Sequence, residues 1–144
     1  MRFILKTTVI LLIFISFYSC DDTENPIPNV FVDITIDLND PLYNDLTMPG
    51  GYVYITGGYS GILIYHSAFS DDFEAYDRAC PYDPDCGKLY VNGSGYTTID
   101  STCCKSEFSL LTGGVPTENS KTTYPMKQYR CIYNSEINIL QVKN

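Results

Sequence analysis

Histidine is nearly absent from this chain: of 144 residues, only His66 carries an imidazole, and there is no tryptophan at all. Any site that needs two imidazoles is therefore closed to a single copy. His66 follows an apolar stretch and precedes a Ser/Asp turn. No serine or cysteine nucleophile is tied to it by a motif, so it reads as a packing or hydrogen-bonding residue rather than a base. Cations are also scarce. Nine Lys and Arg face seventeen Asp and Glu, for a formal charge of −8. Such a chain has no basic surface with which to release phosphate counterions, which argues against nucleic acid as a partner. Adsorption onto an anionic lipid surface is disfavoured on the same ground. No apolar run is long enough to span a bilayer as a helix. Internal repeats and low-complexity tracts are missing too.

What is present begins with an export signal. Met1 to Lys6 is short and basic, and Thr7 to Phe17 is almost uninterrupted Val, Ile, Leu and Phe, the pattern of residues 1–19 as a signal peptide. The run ends at Ser19-Cys20, with Asp21-Asp22-Thr23-Glu24 after it. A small residue before Cys resembles a bacterial lipobox, and the acidic stretch resembles the surface-export signal of Bacteroidetes lipoproteins. Cys20 is the expected lipidation site. Its acyl chains would anchor the protein to the membrane of the cell envelope without spanning it. Cleavage removes Arg2 and Lys6 and no acidic residue, leaving the mature chain two charges more negative. Residues 20–29, with Pro26 and Pro28, read as the lipidated Cys and a flexible tether. Residues 30–144 are enough for one core.

That domain reads as all-β. Thirteen Tyr, seven Phe and ten Gly favour strands and turns. Phe31 to Leu38 alternates apolar and polar, the period of a strand with one buried face. Strands are also expected at Tyr52–Ile55, Gly61–His66, Phe73–Asp77, Lys88–Val91, Tyr96–Asp100, Glu107–Leu110, Gln128–Tyr133 and Glu136–Val142. Of these, Gly61–His66 is apolar enough to be buried on both faces. Turn signals separate them, among them Gly57-Gly58 and Asn92-Gly93-Ser94-Gly95. No segment has a helical period. The pattern predicts an antiparallel sandwich or barrel.

Two cysteine-containing loops interrupt it: Ala79-Cys80-Pro81-Tyr82, continuing to Cys86, and Cys103-Cys104-Lys105-Ser106-Glu107-Phe108. From about Gly61 to the C-terminus, the order of strand, Cys-Pro loop, hairpin, Cys-rich loop, Gly113-Gly114 and closing hairpin resembles the Rieske-type [2Fe–2S] domain. That resemblance implies a Rieske-like all-β fold and a cluster held by two Cys and two His. The family pattern Cys-x-His in the first loop meets Cys80-Pro81-Tyr82, with Tyr82 in the His position. In the second loop, anchoring on Ser106-Glu107-Phe108 puts Ser101 in the Cys position and Cys104 in the His position. Cys80 alone of the four ligands survives, so no [2Fe–2S] cluster and no metal is expected.

An exported protein resides where disulfides persist. Spacing alone leaves the three pairings of Cys80, Cys86, Cys103 and Cys104 open. The resemblance implies Cys86–Cys103, where many Rieske domains bridge their loops, with Cys80 and Cys104 facing each other across the space of the cluster. The implied bonds are Cys86–Cys103 and Cys80–Cys104, with Cys131 left as a small buried hydrophobe. A four-Cys zinc site does not suit the Cys-x5-Cys and Cys-Cys spacing. A catalytic dithiol lacks Cys-x-x-Cys and a helix N-terminus to activate it. Asp71, Asp72, Asp83 and Asp85 lack the loop spacing of a calcium cage. The expectation is a lipid-anchored binding or structural module without catalytic residues, acting on an envelope protein partner. The alternative is a Rieske-type or thiol-based electron-transfer protein.

Overall fold

The computed structural model describes residues 24–144. The expected signal peptide and the expected lipidation site, Cys20, lie outside them. Ten strands follow in chain order: β1 (Asp33–Asp37), β2 (Tyr52–Ile55), β3 (Ile62–His66), β4 (Phe73–Asp77), β5 (Tyr90–Val91), β6 (Thr97–Ile99), β7 (Glu107–Ser109), β8 (Val115–Pro116), β9 (Gln128–Asn134) and β10 (Ile139–Lys143). They form a six-stranded sheet, β1-β10-β9-β4-β3-β2, and a four-stranded sheet, β5-β6-β7-β8. Every pairing is antiparallel. The domain is all-β, as its alternation predicts, and each expected strand is present within a few residues of its expected ends.

β3 organises the core because both its faces are covered, which is why its five residues are all buried. Ile62 and Ile64 point to one side, into a cluster with Val32, Ile36, Leu46, Ala75, Tyr129, Leu140 and Val142. Leu63 and Tyr65 point to the other, into a cluster with Tyr76, Cys80, Leu89, Cys104, Phe108, Leu110 and Met126. The period of two sends alternate residues to opposite cores. The first cluster draws on strands from both halves of the large sheet, so that sheet curls around it. Its two ends come so close that a Cβ on Gly57 (φ +131°) would stand 2.9 Å from Ile34 Cδ1. The second cluster lies between β3–β4 and the small sheet, and it contains both buried loop cysteines.

Besides the two-residue strand β8, two features depart from the sequence reading. Pro41–Thr47 forms a 3-10 helix kinked at Tyr43, where only a strand stop is expected. Asp40 caps it by accepting from Leu42 N at 2.9 Å, Pro41 presets the first turn, and Leu46 closes the first core. Seven residues with one buried position leave no helical period to find. The described part of the expected tether is also not free. Ile27 is buried, Asn25 Nδ2 donates to Pro125 O at 2.9 Å, and Lys127 Nζ donates to Ile27 O, Pro28 O and Asn29 Oδ1. One lysine satisfying three acceptors fixes residues 27–29 against the start of β9.

Candidate functional site: the paired cysteine loops

The first loop is anchored at its root by Asp77, the last residue of β4. Its fully buried carboxylate accepts from Ala79 N (2.8 Å) and Ser60 N (3.1 Å) through Oδ1, and from Tyr59 N (2.5 Å) and Tyr129 Oη (2.7 Å) through Oδ2. A charged acceptor with four donors suits a buried position. Burial, and then the bond to Asp77, raise the Tyr129 phenol above its ordinary pKa. The next residue, Arg78, is also buried. Its guanidinium lies 4.0 Å from the Tyr54 ring centroid and 4.5 Å from that of Tyr90, and Nε donates to Leu89 O at 3.0 Å. This stacking ties β2 to β5 and so joins the two sheets beside the loop. From this root the chain enters the second core at Cys80, which is completely buried.

The second loop is organised by Asp100, directly after β6 and also fully buried. Its Oδ1 accepts from Thr102 N (3.0 Å), Thr102 Oγ1 (3.0 Å) and Cys103 N (3.1 Å). Its Oδ2 accepts from Cys104 N (3.2 Å) and the Cys104 thiol (3.3 Å). Burial pushes the Asp100 carboxyl up. The N–H groups of Cys104 and Cys103, with the Cys104 thiol and the Thr102 hydroxyl, more than reverse that, and the net shift is downward. The Asp-Ser-Thr sequence was legible as an Asx turn, the signal that could have singled Asp100 out. The loop closes against Gly87 (φ +82°), where a Cβ would meet Thr102 Oγ1 at 2.6 Å and Asp100 Oδ1 at 2.7 Å.

These anchors bring the sulfurs together. Cys86 and Cys103 are disulfide-bonded, with Cα atoms 6.0 Å apart. Cys80 and Cys104 are free thiols with Sγ atoms 2.7 Å apart. The resemblance implies a bond between them. The Cys104 thiol also donates to Asp100 Oδ2 at 3.3 Å, and its sulfur accepts from Ser106 N at 3.3 Å. Burial, and then the neighbouring Cys104 thiol, push the Cys80 thiol well above its ordinary pKa. The ligand atoms of Cys80, Cys104 and Asp100 all lie within 4.8 Å of one another.

The other expected cluster positions do not join this group. Tyr82 is exposed, with Lys121 Nζ 6.0 Å from its ring centroid, and Ser101 is exposed. His66 lies at the far end of β3 with Nδ1 2.8 Å from Leu46 O, packed on Phe73. Cys131, on β9, packs against the first core, where burial and then Glu74 push its thiol up to about 12. Asp85 accepts from Tyr59 Oη, and among the described residues the aspartates of the first loop converge on no common point.

No family model and no curated protein matches the chain. Solved structures similar to it include a Mycobacterium tuberculosis protein assigned as the small subunit of an NADH-dependent nitrite reductase. That likeness has 17% identity over 81% of this chain and 97% of that one, with a TM-score of 0.46. The ferredoxin of carbazole 1,9a-dioxygenase from Nocardioides aromaticivorans has 13% identity over 79% and 97%, at 0.46. NirD of E. coli has 18% identity over 80% and 96%, at 0.45.

Proposed function

We propose that this chain is an exported, lipid-anchored binding domain that keeps a Rieske-like frame and joins its two cysteine loops through sulfur instead of iron. The supporting observation is the contact of Cys80 and Cys104 at 2.7 Å in a buried pocket, with no imidazole beside it. A Rieske centre needs two nitrogen ligands on one iron. The donors here are two thiols and a carboxylate already held by five hydrogen bonds, so the residues do not fit the cluster. Cys86 and Cys103 are engaged with each other. In an oxidising compartment, Cys80 and Cys104 give up two electrons and two protons to a disulfide-donating oxidoreductase. A Cys80–Cys104 bond forms, and the donor leaves as its dithiol. The raised Cys80 pKa works against the thiolate that a continuing exchange activity would need, which favours a structural end state.

Anchoring sets the orientation. Asn25, where the chain is already hydrogen-bonded to Pro125, comes five positions after Cys20. Fully extended, that length reaches about 17 Å. Pro26 lies in one shallow groove with Pro81, Tyr82, Lys121 and Tyr124, so the docked segment runs beside the first cysteine loop. A lipid on Cys20 would hold this loop end towards the membrane and leave the opposite end free for a partner.

The test is to purify the protein anaerobically from membranes, measure iron, acid-labile sulfide and visible absorption, and count thiols after unfolding. Less than a tenth of an iron per chain is expected, with Cys131 as the single reactive thiol. A brown protein with stoichiometric iron and sulfide refutes the reading. Retention in the detergent phase that is lost in Cys20→Ala tests the anchor separately.

A further inference from the structure

The end of the domain away from the cysteine loops is built from three connections: residues 38–48 with the 3-10 helix, residues 66–73 between β3 and β4, and residues 133–138 between β9 and β10. They hold one another. Leu38 N donates to Asn138 O at 3.0 Å, His66 Nδ1 lies 2.8 Å from Leu46 O, and Phe73 meets Tyr133 edge-on at 5.0 Å. Between them lies an open groove of about 590 Å³, lined among others by Thr47, Asp71 and Ser135. A second groove, of about 600 Å³, follows the 3-10 helix to β2 and is lined by Asp45, Met48 and Tyr52 to Tyr54. Thr47 belongs to both grooves, so they form one trough.

The surface around this trough combines two features. Among the described residues, five large apolar side chains are 60% or more exposed, and four of them stand on these connections: Leu42, Met48, Phe69 and Ile137. Apolar groups gathered on one exposed end mark an interaction surface. The same connections carry Asp40, Asp45, Asp71, Asp72 and Glu136, all exposed, and no Lys or Arg. An apolar surface bordered by one sign of charge selects a partner of the other sign.

We propose that this trough binds an extended basic segment of a partner protein, in which Lys or Arg alternates with apolar side chains. The apolar side chains meet Met48, Phe69 and Ile137, and the cations meet the carboxylates. An extended segment is called for because β2 is an outermost strand that pairs with β3 alone, so a ligand in the second groove runs along a sheet edge. Such a segment sends alternate side chains to opposite sides, which is why its two residue classes alternate. The five carboxylates repel anionic lipid and nucleic acid. The partner so named rests on the binding role proposed above, which turns this end away from the membrane. Iron in the protein would refute that role and leave peptide binding standing; an iron-free protein that binds no peptide lacks this partner alone.

The test uses full-length protein in a neutral detergent with three labelled heptapeptides, read by fluorescence anisotropy against empty micelles. One peptide alternates Lys and Leu, one Glu and Leu, and one Lys and Ser. The Lys/Leu peptide is expected to saturate, with the other two at least roughly tenfold weaker. Phe69→Ser/Ile137→Ser should weaken it at least roughly fivefold. Asp71→Asn/Asp72→Asn should weaken it about as much and also flatten its salt dependence. All four substitutions fall at exposed positions, so the fold stays intact. No saturation by about 1 mM overturns the proposal. So does a Glu/Leu or Lys/Ser peptide bound as tightly, or binding unchanged in both variants. Flotation of Cys20→Ala protein with uncharged phosphatidylcholine vesicles, abolished by Phe69→Ser/Ile137→Ser, overturns it too, because lipid is then the occupant.

Discussion

Replacing Asp100 by Asn tests whether this carboxylate organises the second cysteine loop. Both oxygens face only donors: Thr102 N, Thr102 Oγ1 and Cys103 N on one side, Cys104 N and the Cys104 thiol on the other. An amide can keep its oxygen on the first set, but its NH₂ then opposes the two Cys104 donors. Hydrogen bonds to a charged group contribute roughly 1.5–3 kcal/mol each. The thiol is a weak donor and takes the low end, so the variant should lose about 3 kcal/mol. With an m-value of about 2 kcal/mol/M, the urea midpoint falls by roughly 1.5 M. The acid limb gives a second reading. Because the folded pKa of Asp100 lies below its unfolded value, its contribution is fully present above the unfolded pKa. It is lost as pH falls through the folded one. Wild type and Asp100→Asn should therefore differ most near neutral pH and converge as pH falls below the folded pKa of Asp100. The assay is urea unfolding of the full-length protein at a series of pH values, with the disulfide intact. A midpoint change under 0.4 M, or a gap that does not narrow in acid, refutes the role given to Asp100.

Gly87→Ala should destabilise by about 2–3 kcal/mol, since the left-handed backbone costs roughly 1–2 kcal/mol and a Cβ collides with Thr102 Oγ1 at 2.6 Å; a thermal melt unchanged within error would contradict it. Removing the Cys86–Cys103 bond, which links residues 17 apart, should cost about 3 kcal/mol. The double Cys86→Ser/Cys103→Ser variant should be no worse than either single one, and additive losses in urea would count against the bond. Tyr54→Leu removes one face of the Arg78 stack and the acceptor of Val91 N at 2.8 Å. A loss of roughly 1–2 kcal/mol is expected, and a neutral result in chemical denaturation would dismiss the brace between sheets. Lys127→Ala should free residues 27–29, so that limited proteolysis cuts there at least tenfold faster; equal rates would show the segment held by other contacts.

The strand pattern was legible because each strand of the large sheet sends a regular row of apolar residues inward. β3 was legible as doubly buried for the same reason: Ile62 to Tyr65 is unbroken apolar, and two cores use it. What escaped has no period. The 3-10 helix buries one residue, Leu46, and β8 is two residues long. Docking of Asn25 to Asn29 rests on Lys127, about a hundred residues away, and no local signal in a Pro-rich tether announces so distant a partner.

At the cysteine loops, sequence gave the sulfurs and the fold supplied the carboxylates. Asp77 and Asp100 hold equivalent posts, each the residue at the end of a strand, each fully buried, each gathering backbone N–H groups of the loop that follows. Neither stands at a position where the family resemblance places a cluster ligand, so attention to ligand positions passes over both. Yet they tie both loops down through hydrogen bonds made by the protein itself. Asp77 alone accepts four hydrogen bonds that bind the β2–β3 turn, the first loop and β9 into one unit. A loop whose root is fixed this way brings Cys80 to Cys104 by backbone geometry. The sulfur contact is then a consequence of the anchors, and the absence of a second histidine leaves the architecture intact.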